Sequence, residues 1–497
     1  MTMSSTGENV INRNSPLPIY YQLKMLVKQQ IQEGDLRAGD RLPTEQELCD
    51  LYAISRAPVR QALADLVREG FIYRRPGQGT FVRKLDIPRA SAPVVLRMLA
   101  YDVRWASLLE QAVVIWNQRY PERLLALDIS MPSRHEFHRV FRTAVVQGDA
   151  PDLVSIDYVW LPGYARAGYL APLDELAPDW AASLVEDLEP AVYQNHFVNG
   201  HLYGLPVQAD VTGLWYRRDW FEVEGLKPPE TWEAWLDLMD YFARPEVKAR
   251  WGHEWPGAFP VSMTTGEAVL NLLLPFIWLA GGDIIDAQGK IVLDSPPTYQ
   301  ALHFLRQITL ERRYLPPEVA QYEWSGVPWL LGKGAVPMSL GGTYEWFAIF
   351  EETDWETEAE VAEHLGFVPI PRPHVATPPV TSLGGTSWVI LQQSQHYDLC
   401  VELLRLTLDA EVILPFCLEN FQISSFRSIN QQLATPEHPW MQHIIPLMQL
   451  ARPRPMLGDY ARVSRFIQQM FQQVLWDGAP VEQVVAQTVR SLHLLMG

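Results

Sequence analysis

The chain has 497 residues, of which 48% are hydrophobic and 20% are charged, a composition that predicts a sizeable core and two or three domains. The formal net charge is −18, but residues 1–90 hold 13 basic and 10 acidic side chains, and the remainder holds 27 and 48. Because phosphates repel the large acidic part, that part cannot act by coating DNA, and any DNA-binding surface is expected in the first ninety residues.

The composition also bears on the compartment of the protein. The first fourteen residues are polar, which predicts a disordered segment and no secretory signal. The longest apolar run, residues 268–282, contains an asparagine and a proline and is too short to span a bilayer. We therefore expect a cytoplasmic protein with no membrane contact. The three cysteines have neither metal-site nor disulfide-framework spacing, and reduced thiols are expected at Cys49, Cys400 and Cys417.

Residues 18–84 follow the order helix, helix, turn, basic helix and glycine-cornered hairpin. Thr44 and Glu47 have the spacing of a capping box, in which each side chain binds a backbone N–H at a helix start. The pattern predicts a short helix from Glu45 to about Tyr52. The whole arrangement is typical of a winged helix-turn-helix, which binds double-stranded DNA.

The second helix of this motif is expected to read bases. Ser55 is placed to cap it, and Gly70 ends it. Its exposed first turns carry Arg56, Arg60 and Gln61, and arginine can bind guanine and glutamine can bind adenine in the major groove. The hairpin that follows, with Arg74 and Arg75 before a Pro-Gly-Gln-Gly turn, predicts a wing that lies beside the phosphates or the minor groove.

The segments LPTEQEL, SRAPVRQAL and GQGTFV, within residues 42–82, resemble the GntR family of bacterial regulators, and its histidine-utilisation-repressor branch in particular. The chain differs from the usual residues of those relatives at Gln46 and Pro58, so no operator sequence can be carried over. The resemblance and the basic wing together imply a DNA-binding domain over residues 15–84, with contacts from Thr44, Glu45, Ser55, Arg56, Arg60, Gln61, Arg75, Gly77, Gly79 and Thr80.

A linker is expected at residues 85–93, where two prolines interrupt the pattern. Strands and helices then alternate, which predicts a parallel sheet with helices on both faces. The predicted elements are strand 94–100, helix 105–120, strand 124–129, helix 136–146 and strand 151–157. Binding sites in such sheets lie beyond the carboxyl ends of strands. After the first strand come Tyr101, Asp102, Arg104 and Trp105, and after the third come Asp157 and Trp160.

Further motifs at residues 151–176, 198–235, 332–346 and 365–390 are similar to the extracellular solute-binding proteins of sugar importers, the maltodextrin-binding-protein-like group. The resemblance covers nearly all of residues 94–497. It implies a periplasmic-binding-protein-like (type II) fold, in which two α/β lobes joined by crossing segments close around one ligand. The fold class is therefore multidomain, with an α+β winged helix followed by a two-lobed α/β domain.

The aromatic content favours a carbohydrate ligand. The chain has 18 Trp and 19 Tyr, and flat rings stack on sugar C–H faces while carboxylates and amides bind hydroxyl groups. A core role remains an equally good interpretation of any single tryptophan. Two glycines, Gly384 and Gly385, either bring backbone amides to a ligand or form a plain turn. The candidate ligand contacts are Tyr101, Asp102, Trp105, Asp157, Trp160, Asp210, Trp215, Tyr344, Glu345, Trp346, Gly385, Thr386 and Trp388.

No catalytic, metal or cofactor motif is present, so neither enzyme activity nor a cofactor is expected. One hypothesis is a homodimeric transcriptional regulator in which ligand and operator DNA affect each other's binding through a population shift. An alternative is the carbohydrate-binding protein of an ABC importer with an appended DNA-binding head. A fusion to a pyridoxal-phosphate aminotransferase is disfavoured, because none of the four lysines beyond residue 90 has a fitting motif. Whether ligand releases or promotes DNA binding stays open.

Overall fold

The structure, a computed structural model, describes residues 11, 18–33, 36–75, 78–83, 93–322, 326–350, 353, 355, 358–457 and 459–496. The chain forms two compact units, which we call the first body (residues 1–156 and 388–415) and the second body (residues 157–387 and 416–497). The expected N-terminal disordered segment and linker lie outside the described residues, apart from residues 11 and 93.

The N-terminal head, residues 18–83 of the first body, has the predicted order of elements. They are α1 (Ile19–Glu33), α2 (Glu45–Tyr52), α3 (Arg56–Arg68), β1 (Ile72–Arg75) and β2 (Gly79–Val82). The two strands form an antiparallel hairpin in which Ile72 lies opposite Val82. Apolar side chains of the three helices and the hairpin make a common core, which includes Leu23, Val27, Leu48, Val59, Leu63, Leu66, Ile72 and Val82.

Twenty further helices follow among the described residues. They are α4 (Val103–Arg119), α5 (Arg134–Val146), α6 (Leu161–Arg166), α7 (Leu173–Leu176), α8 (Pro178–Asp187), α9 (Pro190–Tyr193), α10 (Arg218–Val223), α11 (Trp232–Phe242), α12 (Pro245–Trp251), α13 (Glu267–Leu279), α14 (Pro296–Arg306), α15 (Gly326–Gly332), α16 (Trp346–Phe350), α17 (Glu358–His364), α18 (Tyr397–Leu406), α19 (Ala410–Asn420), α20 (Arg427–Leu433), α21 (Pro439–Ile444), α22 (Tyr460–Leu475) and α23 (Val481–Met496). In the described part of the chain, no helix is both long and apolar enough to cross a membrane.

The remaining strands lie between these helices. They are β3 (Val94–Leu99), β4 (Leu125–Ser130), β5 (Leu153–Asp157), β6 (Phe197–Val198), β7 (His201–Leu202), β8 (Leu205–Pro206), β9 (Gln208–Arg217), β10 (Met338–Gly342), β11 (Leu365–Val368), β12 (Thr381–Gly384), β13 (Thr386–Ile390), β14 (Ile423–Ser424) and β15 (Ala451–Pro453).

In the sheet of the first body, strands β3, β4 and β5 run parallel to one another, as predicted. Strand β3 pairs with β4 on one side and β5 on the other, so that Val94 lies opposite Leu125 and Met98 lies opposite Leu153. Strand β13 continues the order beyond β5. Its inward side chains are fully buried, as expected for a sheet covered by helices.

The second body is built around one long, buried strand. Strand β9 pairs antiparallel with β10, β11, β12 and β14, and β12 pairs parallel with β15. The parallel arrangement predicted from the first strands therefore does not extend to this sheet. Helix α13, the longest apolar run of the sequence, is buried in this body from residue 268 to its end.

Candidate DNA interface and candidate ligand residues

Helix α2 begins as its sequence predicts. The Thr44 hydroxyl accepts a hydrogen bond from the Glu47 N–H at 3.2 Å, and the Glu47 carboxylate accepts one from the Thr44 N–H at 2.7 Å. That second bond lowers the pKa of Glu47. The helix ends at Ala53, whose φ of 53° lies in the left-handed region and turns the chain into α3.

The start of α3 differs from the prediction in one respect. Ser55 occupies the N-cap position with an extended backbone, but its hydroxyl makes no capping hydrogen bond. The prediction that Ser55 caps the helix through its side chain is therefore wrong. Its side chain is exposed at the end of the helix that is expected to enter the groove.

The exposed face of α3 is linked to α2 by polar contacts. Arg56 donates to the Gln46 amide oxygen at 2.8 Å, and Arg60 forms an ion pair of 3.1 Å with Glu45. Arg74 of the hairpin reaches the other oxygen of the Glu45 carboxylate at 3.2 Å. Glu45, predicted as a DNA contact, thus holds one cation of the helix and one of the wing on a single surface.

Gln61 lies on the same helix and is half-buried. Its amide donates to Asp65 at 3.5 Å, so it points along α3 toward a buried carboxylate one turn later. A base contact from Gln61 would require this side chain to change rotamer, which is a small cost for a hydrogen bond of that length.

The wing carries the remaining predicted contacts. The guanidinium of Arg75 lies over the Tyr73 and Phe81 rings at 5.3 and 5.5 Å, which holds this cation on one face of the hairpin. Thr80 is half-buried, and its carbonyl accepts a hydrogen bond from the Leu42 N–H. The predicted contact Gly77 lies outside the described residues.

A third cation of the wing escaped the sequence reasoning. Residue Arg41 forms an isolated bridge with Phe81, and a Cβ atom added to Gly79 would lie 2.7 Å from the Arg41 Nε. Gly79 also has a φ of 119°, which favours glycine. The glycine therefore leaves room for an exposed arginine beside the hairpin. In the sequence, Arg41 is marked only by its position three residues before the capping box.

Of the three candidate ligand contacts that follow the first strand, two have structural roles instead. The Asp102 carboxylate caps α4 by accepting from the Arg104 N–H at 3.0 Å, and it pairs with the Arg104 guanidinium at 2.5 Å. Burial would lower the pKa of Arg104, but Asp102 outweighs it and the pKa is raised. Trp105 is 1% exposed. Asp102 and Trp105 are thus buried residues of the start of α4, whereas Tyr101 stays half-exposed.

In the second body, Asp157 belongs to a buried polar cluster. Its carboxylate receives two hydrogen bonds from Arg454, at 2.9 and 3.0 Å, and Arg454 also binds Glu267 at 3.0 Å. Burial raises the pKa of Glu267, although Arg454 opposes that change. Sequence reasoning missed Arg454 and Glu267 because both lie far along the chain from Asp157. Trp160, three residues later, is half-buried.

Three candidate tryptophans are core residues. Trp215 is fully buried, its ring stacks on Trp440 at a centroid distance of 5.2 Å, and its N–H donates to the Gly342 carbonyl. Trp346 packs on Phe421 at 4.2 Å. Trp388 is also fully buried. None of the three has a ring face open to a sugar, so the core interpretation holds for Trp215, Trp346 and Trp388.

The glycine pair is explained by close packing. A Cβ atom on Gly384 would lie 2.0 Å from an Asp210 carboxylate oxygen, and one on Gly385 would lie 2.4 Å from the Gln208 carbonyl oxygen. The glycines thus let the chain approach strand β9. Asp210 is 5% exposed and Thr386 is 4% exposed, so neither presents a side chain to a ligand in this structure.

Glu345 is likewise a structural residue. Its buried carboxylate accepts a hydrogen bond from the Gly342 N–H at 2.8 Å and so closes the turn after β10. Tyr344 beside it is half-buried. Of the predicted ligand contacts without an ion pair or a fully buried side chain, Tyr101, Trp160, Tyr344 and Gly385 keep part of their surface exposed. Within the described residues, no group of His, Cys, Asp and Glu is arranged to hold a metal ion, and all three cysteines are buried thiols.

Two family descriptions match the chain. Residues 135–411 match the bacterial extracellular solute-binding proteins, and residues 19–82 match the bacterial regulatory proteins of the gntR family. The head is similar to the HTH-type transcriptional repressor NagR of Bacillus subtilis, with 49% identity over 80 residues, 16% of this chain and 33% of the repressor. The matched stretch is thus about a third of that relative's length.

The part of the chain that follows the head is similar to importer proteins. The putative ABC transporter periplasmic-binding protein YcjN of Escherichia coli is 28% identical over 167 residues, 33% of this chain and 34% of that protein. A solved solute-binding protein of Thermotoga lettingae, bound with α-D-tagatose, has a TM-score of 0.70 and 21% identity, covering 81% of this chain and 100% of that one. This likeness shows the fold of the part of the chain that follows the head. The chain therefore belongs to the bacterial extracellular solute-binding protein family, and it carries a GntR-family winged helix-turn-helix ahead of the solute-binding fold.

Proposed function

We propose that the protein is a cytoplasmic transcriptional regulator that binds operator DNA through its head and senses a small molecule through its solute-binding fold. The observation that carries this proposal is the presence, in one chain, of an arginine-bearing α3 and a fold otherwise used to bind solutes. A sugar or oligosaccharide is the proposed effector. Ligand binding would change operator affinity, in a direction that experiment must supply.

The DNA-binding part is supported by the charges of the head. Arg56, Arg60 and Arg74 lie on linked elements, and Arg41 and Arg75 lie on the wing. A single winged helix covers one half-site, so we propose a homodimer on a near-palindromic operator. The related head of NagR belongs to a repressor, which favours repression here.

The sugar-sensing part is supported by the fold and by two aromatic residues of the second body. Proteins with this fold have been solved with tagatose and with maltose bound. Trp160 and Tyr344 keep exposed ring surface that could stack on a sugar. Tyr101 of the first body and Gly385 are further candidate contacts. The matched families act by binding, and we propose no catalytic step.

The experiment combines two titrations of purified full-length protein. A thermal-shift screen against mono- and oligosaccharides identifies a ligand, because a molecule that binds only the folded state raises the melting temperature. Fluorescence anisotropy then measures affinity for DNA upstream of the protein's own operon, with and without that sugar. A saturable shift together with a changed DNA affinity supports the regulator.

Variants separate the two activities. Trp160→Ala and Tyr344→Ala are expected to weaken sugar binding by about tenfold, in line with a lost stacking contact, and to leave DNA affinity unchanged. Tyr193→Ala removes a more exposed aromatic ring from the same body and serves as the control. Sugar binding without any DNA binding would contradict the regulator and favour an importer's binding protein.

A further inference from the structure

Four charged side chains form a closed, buried cluster in the first body. Lys24 lies 3.0 Å from Glu69 and 2.7 Å from Glu110, and Lys28 lies 3.2 Å from Glu69 and 3.4 Å from Glu110. Each lysine therefore bridges both carboxylates. We call Lys24, Lys28, Glu69 and Glu110 the lysine–glutamate cluster.

The members of the cluster come from two different parts of the chain. Lys24 and Lys28 stand one turn apart on α1, and Glu69 directly follows α3, so three of the four belong to the head. Glu110 belongs to α4, which is part of the solute-binding fold. The cluster thus joins the DNA-binding head to the first helix after the linker.

The cluster is too deeply buried to be a surface ion pair. The exposed fractions of the side chains are 0% for Lys24, 1% for Glu69, 10% for Glu110 and 17% for Lys28. Two positive and two negative charges balance, and the Lys24 ammonium lies 4.5 Å from the centre of the Tyr21 ring. A buried charge that loses its partner is strongly unfavourable, so removal of one member of the cluster should destabilise this arrangement.

The electrostatic balance agrees with this geometry. Burial by itself would raise the pKa of Glu110, yet the attraction of Lys24 and Lys28 outweighs it, and the pKa is lowered. Burial by itself would lower the pKa of Lys24, and Glu110 and Glu69 outweigh it and raise the pKa. Both groups therefore stay charged, and their attraction acts between the head and helix α4.

An electrostatic interaction also crosses the same boundary. Every residue of α4 from Val103 to Val113 is buried, whereas a helix on the surface of a fold would leave one face exposed. Near its start, the Arg104 guanidinium interacts with Tyr20 of α1. Residues that sequence reasoning placed in a ligand site, Asp102 and Trp105, lie on this same helix start.

We infer that the lysine–glutamate cluster docks the DNA-binding head rigidly on α4, so that the head moves with the first body and any ligand signal reaches it through α1 and α4. The linker at residues 85–93 then acts as a tether only. The docking does not depend on the proposed function, and only the route of the signal rests on it.

Hydrogen exchange of the full-length protein tests the docking without any ligand. In Glu110→Gln the two lysines keep one carboxylate, and we expect the amides of α1 to exchange about tenfold faster or more, while β3 and β4 keep their protection. Glu122→Gln is the matched control, since Glu122 is exposed just after α4. Unchanged exchange of α1 in Glu110→Gln, or equal acceleration in β3 and β4, would overturn the docking.

A milder variant covers the case in which Glu110→Gln does not fold. Lys28→Met removes the more exposed lysine and the two longer ion pairs. Faster exchange confined to the head is expected, by a smaller factor than for Glu110→Gln. Exchange identical to that of the unmodified protein would count against the cluster as the docking element.

The route of the signal is tested by lengthening the linker. A short Gly/Ser insertion between Ala90 and Ser91 should leave the protection of α1 and any effect of sugar on DNA affinity unchanged within about twofold, because a flexible insertion cannot transmit a displacement. Loss of the sugar effect with α1 still protected would show that the linker carries the signal, and loss of the protection of α1 would overturn the docking by the cluster. If the unmodified protein shows no effect of sugar, the proposed function fails, and the protection of α1 still decides the docking.

Discussion

Glu45 determines how much positive charge the head presents to DNA. Its carboxylate pairs with Arg60 and Arg74 at 3.1 and 3.2 Å, and it is itself one-third exposed. Phosphates must compete with it for both cations. We therefore expect Glu45→Gln to raise affinity for non-operator DNA by about threefold to tenfold. Because phosphate contacts carry no sequence information, the ratio of operator affinity to non-operator affinity should fall.

Anisotropy titrations against operator and scrambled duplexes at one ionic strength check this expectation. Arg60→Ala is the opposing variant, and it should weaken operator binding by about ten- to a hundredfold, the loss of one arginine–base contact. Arg139→Ala removes an exposed arginine from α5 and controls for the charge change. If Glu45→Gln lowered operator affinity instead, the carboxylate would itself be reading a base.

His196 gives the second body a defined sensitivity to acid. Its Nδ1 lies 3.2 Å from the Val192 carbonyl oxygen, which can only accept, so Nδ1 carries the proton and Nε2 accepts from the Ser387 hydroxyl at 2.5 Å. Burial lowers the pKa of His196 from 6.5 to about 4. The unfolded chain therefore binds a proton before the folded protein does, and stability is lost as the pH falls from 6.5 to about 4.

The loss attributable to this residue is about 1.4 kcal/mol per pH unit in that window. Urea unfolding of the protein and of His196→Gln, at a series of pH values, measures it as the difference in slope. The matched control for the substitution itself is His374→Gln, which changes an exposed histidine of the same body. Equal slopes for His196→Gln and the unmodified protein would contradict a neutral, buried imidazole.

At the scale of elements, the close approach of the chain to strand β9 requires glycine at the positions that contact this strand. A Cβ atom on Gly385 would lie 2.4 Å from the Gln208 carbonyl oxygen, and this backbone atom belongs to a strand paired on both sides. Gly385→Ala should therefore cost about 3 kcal/mol of stability through overpacking and strain. Gly168→Ala, at a positive φ with open space around it, should cost about 1 kcal/mol.

Chemical denaturation of both variants measures these costs. The same experiment decides between the two interpretations of the glycine pair. A Gly385→Ala variant that kept full stability but lost sugar binding would show that the glycine serves a ligand and that the packing explanation is wrong.

What could be predicted at this scale depended on the range of the interactions. The capping box that starts α2 is complete within four residues, and the bounds predicted for α2 are those observed. Alternation of strands and helices likewise identified β3, β4 and β5. Which tryptophans are buried depends on partners far along the chain, as Trp215 on Trp440 shows. Local pattern contains no information about such contacts, so the sequence alone could not separate buried tryptophans from exposed ones.

The lysine–glutamate cluster shows the same limit at the junction of head and body. Glu110 reads in the sequence as an ordinary polar residue of an amphipathic helix, because its partners on α1 lie 86 and 82 positions away. The linker pattern near residue 90 predicted a break between two domains. It could not show that the head packs on the helix beyond that break.

For the whole molecule, the distribution of charge restricts how it can meet DNA. The first ninety residues carry a small positive excess, and the rest of the chain carries a large negative one. Repulsion between the acidic part and the phosphates disfavours every orientation except the one in which the head faces the DNA. The same repulsion lowers the affinity for DNA of any sequence. The two winged helices of the proposed dimer therefore have to supply the binding energy.

The proposed regulator makes one further prediction about the whole molecule. If sugar changes the affinity for operator DNA by some factor, linkage requires that DNA change the affinity for sugar by the same factor. Coupling of about 5- to 150-fold is usual for a switch of this kind. Titrating DNA with and without saturating sugar, and sugar with and without saturating operator, gives the two factors independently at one salt concentration.

A scrambled duplex provides the control, because it binds through phosphates alone and should not report the arrangement of two heads on two half-sites. Equal factors above unity on the operator, together with a factor near one on the scrambled duplex, are expected if ligand and operator select between two dispositions of the paired heads. Factors of one on both duplexes would mean that the solute-binding fold and the head act independently despite their docking on α4. In that case the sugar would serve stability rather than control of DNA binding.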